Sequence, residues 1–222
     1  MAIYDLEEQE KIDSLKSWWK TYGTPVIVAV AVFVAGIAGT QAWNYYQRQQ
    51  VEQAAELYAS LLQVKGSGDT RKIDDAAGLL MQGFPGSGYA SRAALISARA
   101  NFEAGDMQTT KRRLQWTLDN SKEDELKDLV RLRLAGLLLD EKKYNEALQL
   151  LETGHGESFD GLYADLKGDI LSAAGKPAEA RIAYQSGLDK MVKNGTYYNI
   201  VQMKLDSLQQ VKQSQEDHSN TQ

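Results

Sequence analysis

The chain has 222 residues, 25 basic and 30 acidic side chains for a net charge of −5, and no cysteine. Disulfides, thiolate catalysis and cysteine metal sites are therefore excluded, and the absence of a basic stripe argues against a nucleic-acid surface. Three prolines and 9% aromatics, with much Ala, Leu, Gln and Lys, predict an all-α protein.

In Met1 to Lys20 the residues Ile3, Leu6, Ile12, Leu15 and Trp19 recur at helical intervals. Leu6 to Lys20 reads either as an amphipathic helix on a membrane surface or as a loosely ordered tail, and both readings stay open. Gly23-Thr24-Pro25 then breaks the pattern, which predicts Thr24 as a cap and Pro25 as the first residue of a new helix.

Pro25 to Trp43, PVIVAVAVFVAGIAGTQAW, lies in a stretch with no charge between Lys20 and Arg48. About 20 apolar residues cross a hydrocarbon core roughly 30 Å thick. Trp18, Trp19 and Tyr22 precede the run and Trp43, Tyr45 and Tyr46 follow it, where interfacial aromatic belts belong. A cleaved signal peptide would have a short basic leader, whereas this leader carries Asp5, Glu7, Glu8, Glu10 and Asp13. Lys11, Lys16 and Lys20 before the run, against Arg48 behind it, keep the N-terminus cytoplasmic and send the rest across. Ala31, Ala35 and Gly39 share one face of this helix, a spacing at which another membrane helix can approach closely.

Asn44 to Lys65 contains no Gly or Pro, so the helix need not stop at the membrane. Gly66-Ser67-Gly68-Asp69 ends it. A short helix near Ile73 to Met81 follows, closed by Gly83-Phe84-Pro85-Gly86-Ser87-Gly88, and helices then alternate with turns to about Val211. The expected division is a cytoplasmic tail at 1–22, a transmembrane helix at 23–46, a helical domain at 47–212 and a disordered tail at 213–222.

The helical domain repeats. Lys142 to Ala147 and Gly175 to Ala180 match at Lys, Glu and Ala with an offset of 33 residues, counted from the sequence. Ala135 and Gly168 stand before these alanines, and the large apolar Leu151 and Tyr184 stand after them. A weaker third copy places Ala98, Gly105-Asp106 and Leu114 at the same places, with a short insertion near Asn120 to Asp124. A small residue on one helix facing an alanine on the next allows close antiparallel packing. The period and these positions resemble a tetratricopeptide repeat, although the family's Trp and closing Pro are missing. Leu126 to Leu139 is apolar on more than one face, which predicts a helix sandwiched within the stack.

No chemistry rises from the rest. His155, in Gly154-His155-Gly156, reads as a solvated loop histidine, and His218 lies in the tail. Gly66-Ser67-Gly68 and Gly86-Ser87-Gly88 lack the Lys-Ser/Thr of a phosphate loop. The expectation is no catalytic, cofactor-binding or metal site.

Met1-Ala2-Ile3-Tyr4, Trp18-Trp19-Lys20 with Tyr22-Gly23, Ala164 to Asp169 (Ala-Asp-Leu-Lys-Gly-Asp) and Met203-Lys204-Leu205 together resemble the YfgM family of ancillary subunits of the bacterial SecYEG translocon. The resemblance runs across nearly the whole chain. It implies a single-pass protein of the bacterial inner membrane with a periplasmic tetratricopeptide-like domain. It also implies association with the translocon and with a PpiD-type periplasmic chaperone, and a scaffold that hands emerging polypeptides to chaperones. An alternative role is envelope-stress signalling, with the cytoplasmic tail acting on a response regulator. In tetratricopeptide arrays the first helix of each repeat lines the concave face. That resemblance nominates Leu95, Arg99, Phe102, Leu129, Leu132, Gly136, Leu139, Asp165 and Asp169 as partner-binding residues.

Overall fold

In the computed structural model the backbone is described for residues 2–193 and 195–219, and the side chains for residues 11–193 and 195–208. All regular structure among the described residues is helical. The chain divides into two compact units, Met1–Gln53 and Ala54–Gln222.

The first unit is carried by α1, Ala2–Lys65, which runs without interruption through Gly23 and Pro25. The expected break at Gly23-Thr24-Pro25 is thus corrected: Pro25 lies inside the helix. Ending one helix and starting another there would orphan four carbonyls and four N–H groups, whereas a through-running Pro leaves a single carbonyl without its donor. Gly23 lets the Trp19 indole lie against the backbone, since a Cβ there would sit 3.2 Å from its ring. The side chains from Ile27 to Gln49 are all exposed, Phe33 by 69%. Such a sleeve of bare Val, Ala, Ile and Phe is unfavourable in water and suited to lipid. Trp18 and Tyr22 pack together before it, and Trp43 and Tyr46 after it.

The second unit begins with the end of α1, from Ala54, and continues past the turn at Gly66–Gly68. Its further helices are α2 (Thr70–Gly83), α3 (Gly88–Glu103), α4 (Met107–Asn120), α5 (Asp124–Asp140), α6 (Tyr144–Leu151), α7 (Asp160–Ala173), α8 (Pro177–Lys190) and α9 (Thr196–Ser219). A 3₁₀ turn at Glu157–Phe159 leads into α7. Of residues 213–222, expected as a disordered tail, 213–219 are helical in backbone as the end of α9, and 220–222 lie outside the described residues. Local chemistry starts the first three: Asp69 accepts from the N–H groups of Arg71 and Lys72, Ser87 from Ala90 and Asp106 from Thr109, each relieving an orphan donor. Pro177 begins α8 at a position where its missing N–H costs nothing.

The helices stack as consecutive hairpins, α3 on α4, α5 on α6 and α7 on α8, with α2 preceding on α3 and α9 closing on α8. Helix α5 packs on α4, α6 and α7, the sandwiched position that its apolar faces predict. The same turn recurs inside each hairpin. Gly105, Lys142 and Gly175 have φ of 82°, 59° and 74°. Their N–H groups reach the carbonyls of Phe102, Leu139 and Ser172. The next N–H groups, of Asp106, Lys143 and Lys176, reach back to Asn101, Leu138 and Leu171. This is one Schellman motif written three times.

The repeat's small and large positions also converge. Ala135, Ala147 and Leu151 share one apolar cluster, Ala98 and Leu114 another, and Ala180 and Tyr184 a third. At Gly168 the close partner is the Tyr184 ring rather than the expected alanine, because a Cβ there would collide with that ring. A further cluster joins Ala54 and Leu61 to Ile73, Ala77, Leu80, Ala90 and Ala93.

Candidate partner-binding groove

Between α3, α4 and α5 the second unit opens a groove of about 580 Å³. Its walls follow from helix periodicity. Leu95, Arg99 and Phe102 recur along one face of α3, and Arg133, Gly136 and Asp140 along one face of α5, while Leu114 comes from α4. Leu95, Leu114 and Leu137 belong to the cluster beneath, so the floor is continuous with the core. Phe102 is 41% exposed, and Lys65 contributes a cation at the margin. A concave, mostly apolar surface with a few placed charges has the composition of a binding site.

The charges are unevenly matched. Arg99 pairs with Glu103 one turn on. Arg133 forms no ion pair or hydrogen bond among the described residues, and its guanidinium pKa is pushed down, first by burial and then by repulsion from Arg99. Both causes disfavour the bare cation, and an anion placed beside it would reverse the second.

Of the nominated residues, Leu95, Arg99, Phe102, Gly136 and Leu139 line this groove. The other four lie elsewhere. Leu132 is half-buried against the cluster around Ala135 and Tyr163, and Leu129 is half-buried on α5. Asp165 is buried and accepts from Lys204 Nζ at 2.8 Å and from the Tyr197 hydroxyl at 2.6 Å. Asp169 accepts from the same ammonium at 2.8 Å and from the Tyr184 hydroxyl at 2.7 Å. These two carboxylates fasten α9 to α7 and α8. Placement on the first helix of the last repeat does not expose them, because the closing helix covers that face. The repeat positions do not reach Arg133, Ile96 and Asp140, although Leu129, Arg133, Gly136 and Asp140 form an i, i+4, i+7, i+11 series on α5 that marks one face.

Ala31, Ala35 and Gly39, the candidate membrane-packing face, are exposed on α1, and a Cβ at Gly39 would meet nothing within 4 Å. His155 corrects an expectation. It is half-buried, with its ring stacked 3.9 Å from that of Tyr163 and its Nδ1 3.4 Å from Asp160. The loop that carries it is held in place, since Gly156 N–H donates to Asp128 and the Tyr163 hydroxyl to the Asp128 carbonyl.

Comparison with known proteins agrees with this architecture. The model of the tetratricopeptide repeat-like domain matches residues 16–210. The chain is 31% identical over 204 residues to the ancillary SecYEG translocon subunit of Neisseria gonorrhoeae, covering 91% of this chain and 98% of that one. It is 31% identical to the protein of the same name from Haemophilus influenzae, covering 82% and 89% of the two chains. Against the Escherichia coli relative identity is 26%, over 94% and 99%. No solved structure matches significantly. The stacked hairpins with their threefold turn, the long apolar N-terminal helix and this end-to-end similarity agree, and the chain belongs to the YfgM family of ancillary SecYEG translocon subunits.

Proposed function

We propose that the chain is a single-pass inner-membrane protein and a non-enzymatic scaffold of the Sec translocon. The apolar part of α1 anchors it, and the helical-repeat unit stands in the periplasm. There it links translocating polypeptides to periplasmic chaperones, a PpiD-type chaperone among them, through the groove between α3 and α5. The observation that carries the reading is the open apolar groove in a chain that matches ancillary translocon subunits from end to end. The nominated residues Leu95, Arg99, Phe102, Gly136 and Leu139 form the contact surface, and Ala31, Ala35 and Gly39 seat the anchor against a membrane partner.

Photo-crosslinking side chains test this in secreting cells. Gly136 suits one, because a Cβ there meets nothing within 4 Å, and exposed Phe102 suits another. Crosslinks to a translocon subunit, a chaperone or a secretory chain are expected from both, and absent from Ile182, exposed on α8. A blank result at Gly136 and Phe102 would sink the groove as the contact surface. Topology has its own test, since the chain has no cysteine. A cysteine replacing Ser158 should react with a membrane-impermeant maleimide in spheroplasts while one replacing Ser14 stays protected. The reverse pattern inverts the orientation.

A further inference from the structure

The groove is more selective than an apolar cleft. Its apolar lining includes exposed Phe102 and half-buried Leu95 and Leu139, and Arg133 shares that lining with no acidic partner among the described residues. Asp140 shares the lining without pairing to Arg133, and Glu103 is engaged by Arg99. Arg133 is exposed in this lining, and its guanidinium offers an arriving ligand five donors in a fork that fits a carboxylate. We infer that the groove recognises a protein segment in which an acidic side chain is flanked by large apolar ones, the carboxylate docking on Arg133 and the apolar side chains on Phe102, Leu95 and Leu139.

The charge decides between occupants. A purely apolar segment, such as an unfolded secretory chain of any sequence, would strip water from Arg133 without replacing it, which costs free energy. A basic segment would meet Arg99, Arg133 and Lys65, with Asp140 as the one carboxylate among the described residues of the lining to offset them. An acidic-apolar segment gains a charge-assisted hydrogen bond and relieves the Arg99–Arg133 repulsion. The groove therefore fits a partner of defined sequence, such as a chaperone segment, better than a general client.

The inference rests on the groove being the contact surface, and the test separates the two. The full chain in detergent is titrated with a fluorescein-labelled peptide carrying a Leu-Phe-Glu-Leu core, and with versions having Gln or Lys in place of Glu. The Glu peptide binds, the Gln peptide binds about fivefold or more weakly, and the Lys peptide does not bind. Arg133→Gln abolishes the preference for Glu over Gln, and Arg133→Glu reverses it towards Lys. Equal affinity for all three peptides, no binding of any, or a preference untouched by either variant overturns the inference. Crosslinks from Gly136 that persist in Arg133→Glu cells would then leave the scaffold reading standing and remove only its charge selectivity. Loss of crosslinks from wild-type Gly136 removes the scaffold reading itself.

Discussion

Asp74 on α2 and Arg113 on α4 meet as a two-pronged pair, with Arg113 Nε 2.9 Å from Oδ1 and Nη2 2.7 Å from Oδ2 of the carboxylate. Ser97 and Asn101 of α3 donate to the same Oδ1, so three helices share one anion. Burial alone pushes this carboxyl's pKa up, but the Arg113, Ser97 and Asn101 donors outweigh it and hold it below the ordinary carboxylate range.

Replacing Asp74 by Asn keeps the shape and leaves Arg113 without its counter-ion in a mostly buried site. The expected cost is about 2–3 kcal/mol, read as a lower Tm of the detergent-solubilised chain. Because the folded pKa is depressed, the stability from this pair is complete above the unfolded carboxyl pKa of about 3.9 and is lost as pH falls through the folded value. The Asp74→Asn variant should lose less stability than wild type on acidification across that window. An unchanged Tm would remove the pair from the account of how α2 is held.

Lys142 occupies the left-handed turn that glycine fills in the hairpins on either side. A side chain there costs about 1 kcal/mol, partly offset by the unfolded-chain entropy that glycine adds. Lys142→Gly should therefore stabilise by about 0.5 kcal/mol, and Gly175→Ala should destabilise by about 1 kcal/mol. Thermal unfolding of both variants checks the opposite signs.

Gly136 and Gly168 sit on the first helices of adjacent hairpins and predict opposite responses to one methyl group. At Gly168 the methyl collides with the Tyr184 ring, which the core and the Asp169 hydrogen bond fix. Gly168→Ala should destabilise by about 2 kcal/mol. At Gly136 nothing lies within 4 Å, and the gain in helix propensity leaves Gly136→Ala neutral or stabilising by about 0.5–1 kcal/mol. Equal losses at both sites would contradict the close α7–α8 crossing.

Among the described residues Lys204 is the one ammonium that pairs with both Asp165 and Asp169. Burial alone lowers its pKa, and the two carboxylates outweigh burial and raise it. Tyr184 and Tyr197 are also pushed up, by burial first and then by their hydrogen bonds to those carboxylates. Lys204→Met should cost about 3 kcal/mol, because buried Asp165 keeps its charge and loses its cation. All three raised values carry the same sign. The stability they confer is complete below the unfolded pKa values of about 10 and drains as pH rises past them. Alkaline titration should therefore release α9 together with tyrosine ionisation, followed by absorbance near the phenolate band.

Much of this is legible locally. The small-large positions Ala135/Leu151 and Gly168/Tyr184 and the turns at Gly105 and Gly175 announce themselves in the sequence, because each serves a contact within one hairpin. Lys142 hides its turn, since nothing about a lysine signals positive φ. The path of α1 through Pro25 is not legible, because a proline at a helix start and one inside a helix have the same φ. Asp165 and Asp169 look like groove residues for want of a distant fact, their pairing with Lys204, which no local period encodes. Arg133 escapes notice because it is exposed like most helix arginines, and only the groove made by α3, α4 and α5 together places it beside Phe102 and Leu95 in one lining.

The interior of the repeat unit is a run of small apolar clusters, each shared by neighbouring hairpins, rather than one central mass. In such a chain of joints each repeat answers mainly to its neighbours. The cluster beneath the groove joins Ala98 of α3 and Leu114 of α4 to Val130 and Leu134 of α5, so the cleft takes its shape from that one joint. A loosened side chain in that joint should therefore disturb the seat beside Phe102 and Arg133 while the clusters further along the stack keep their own contacts.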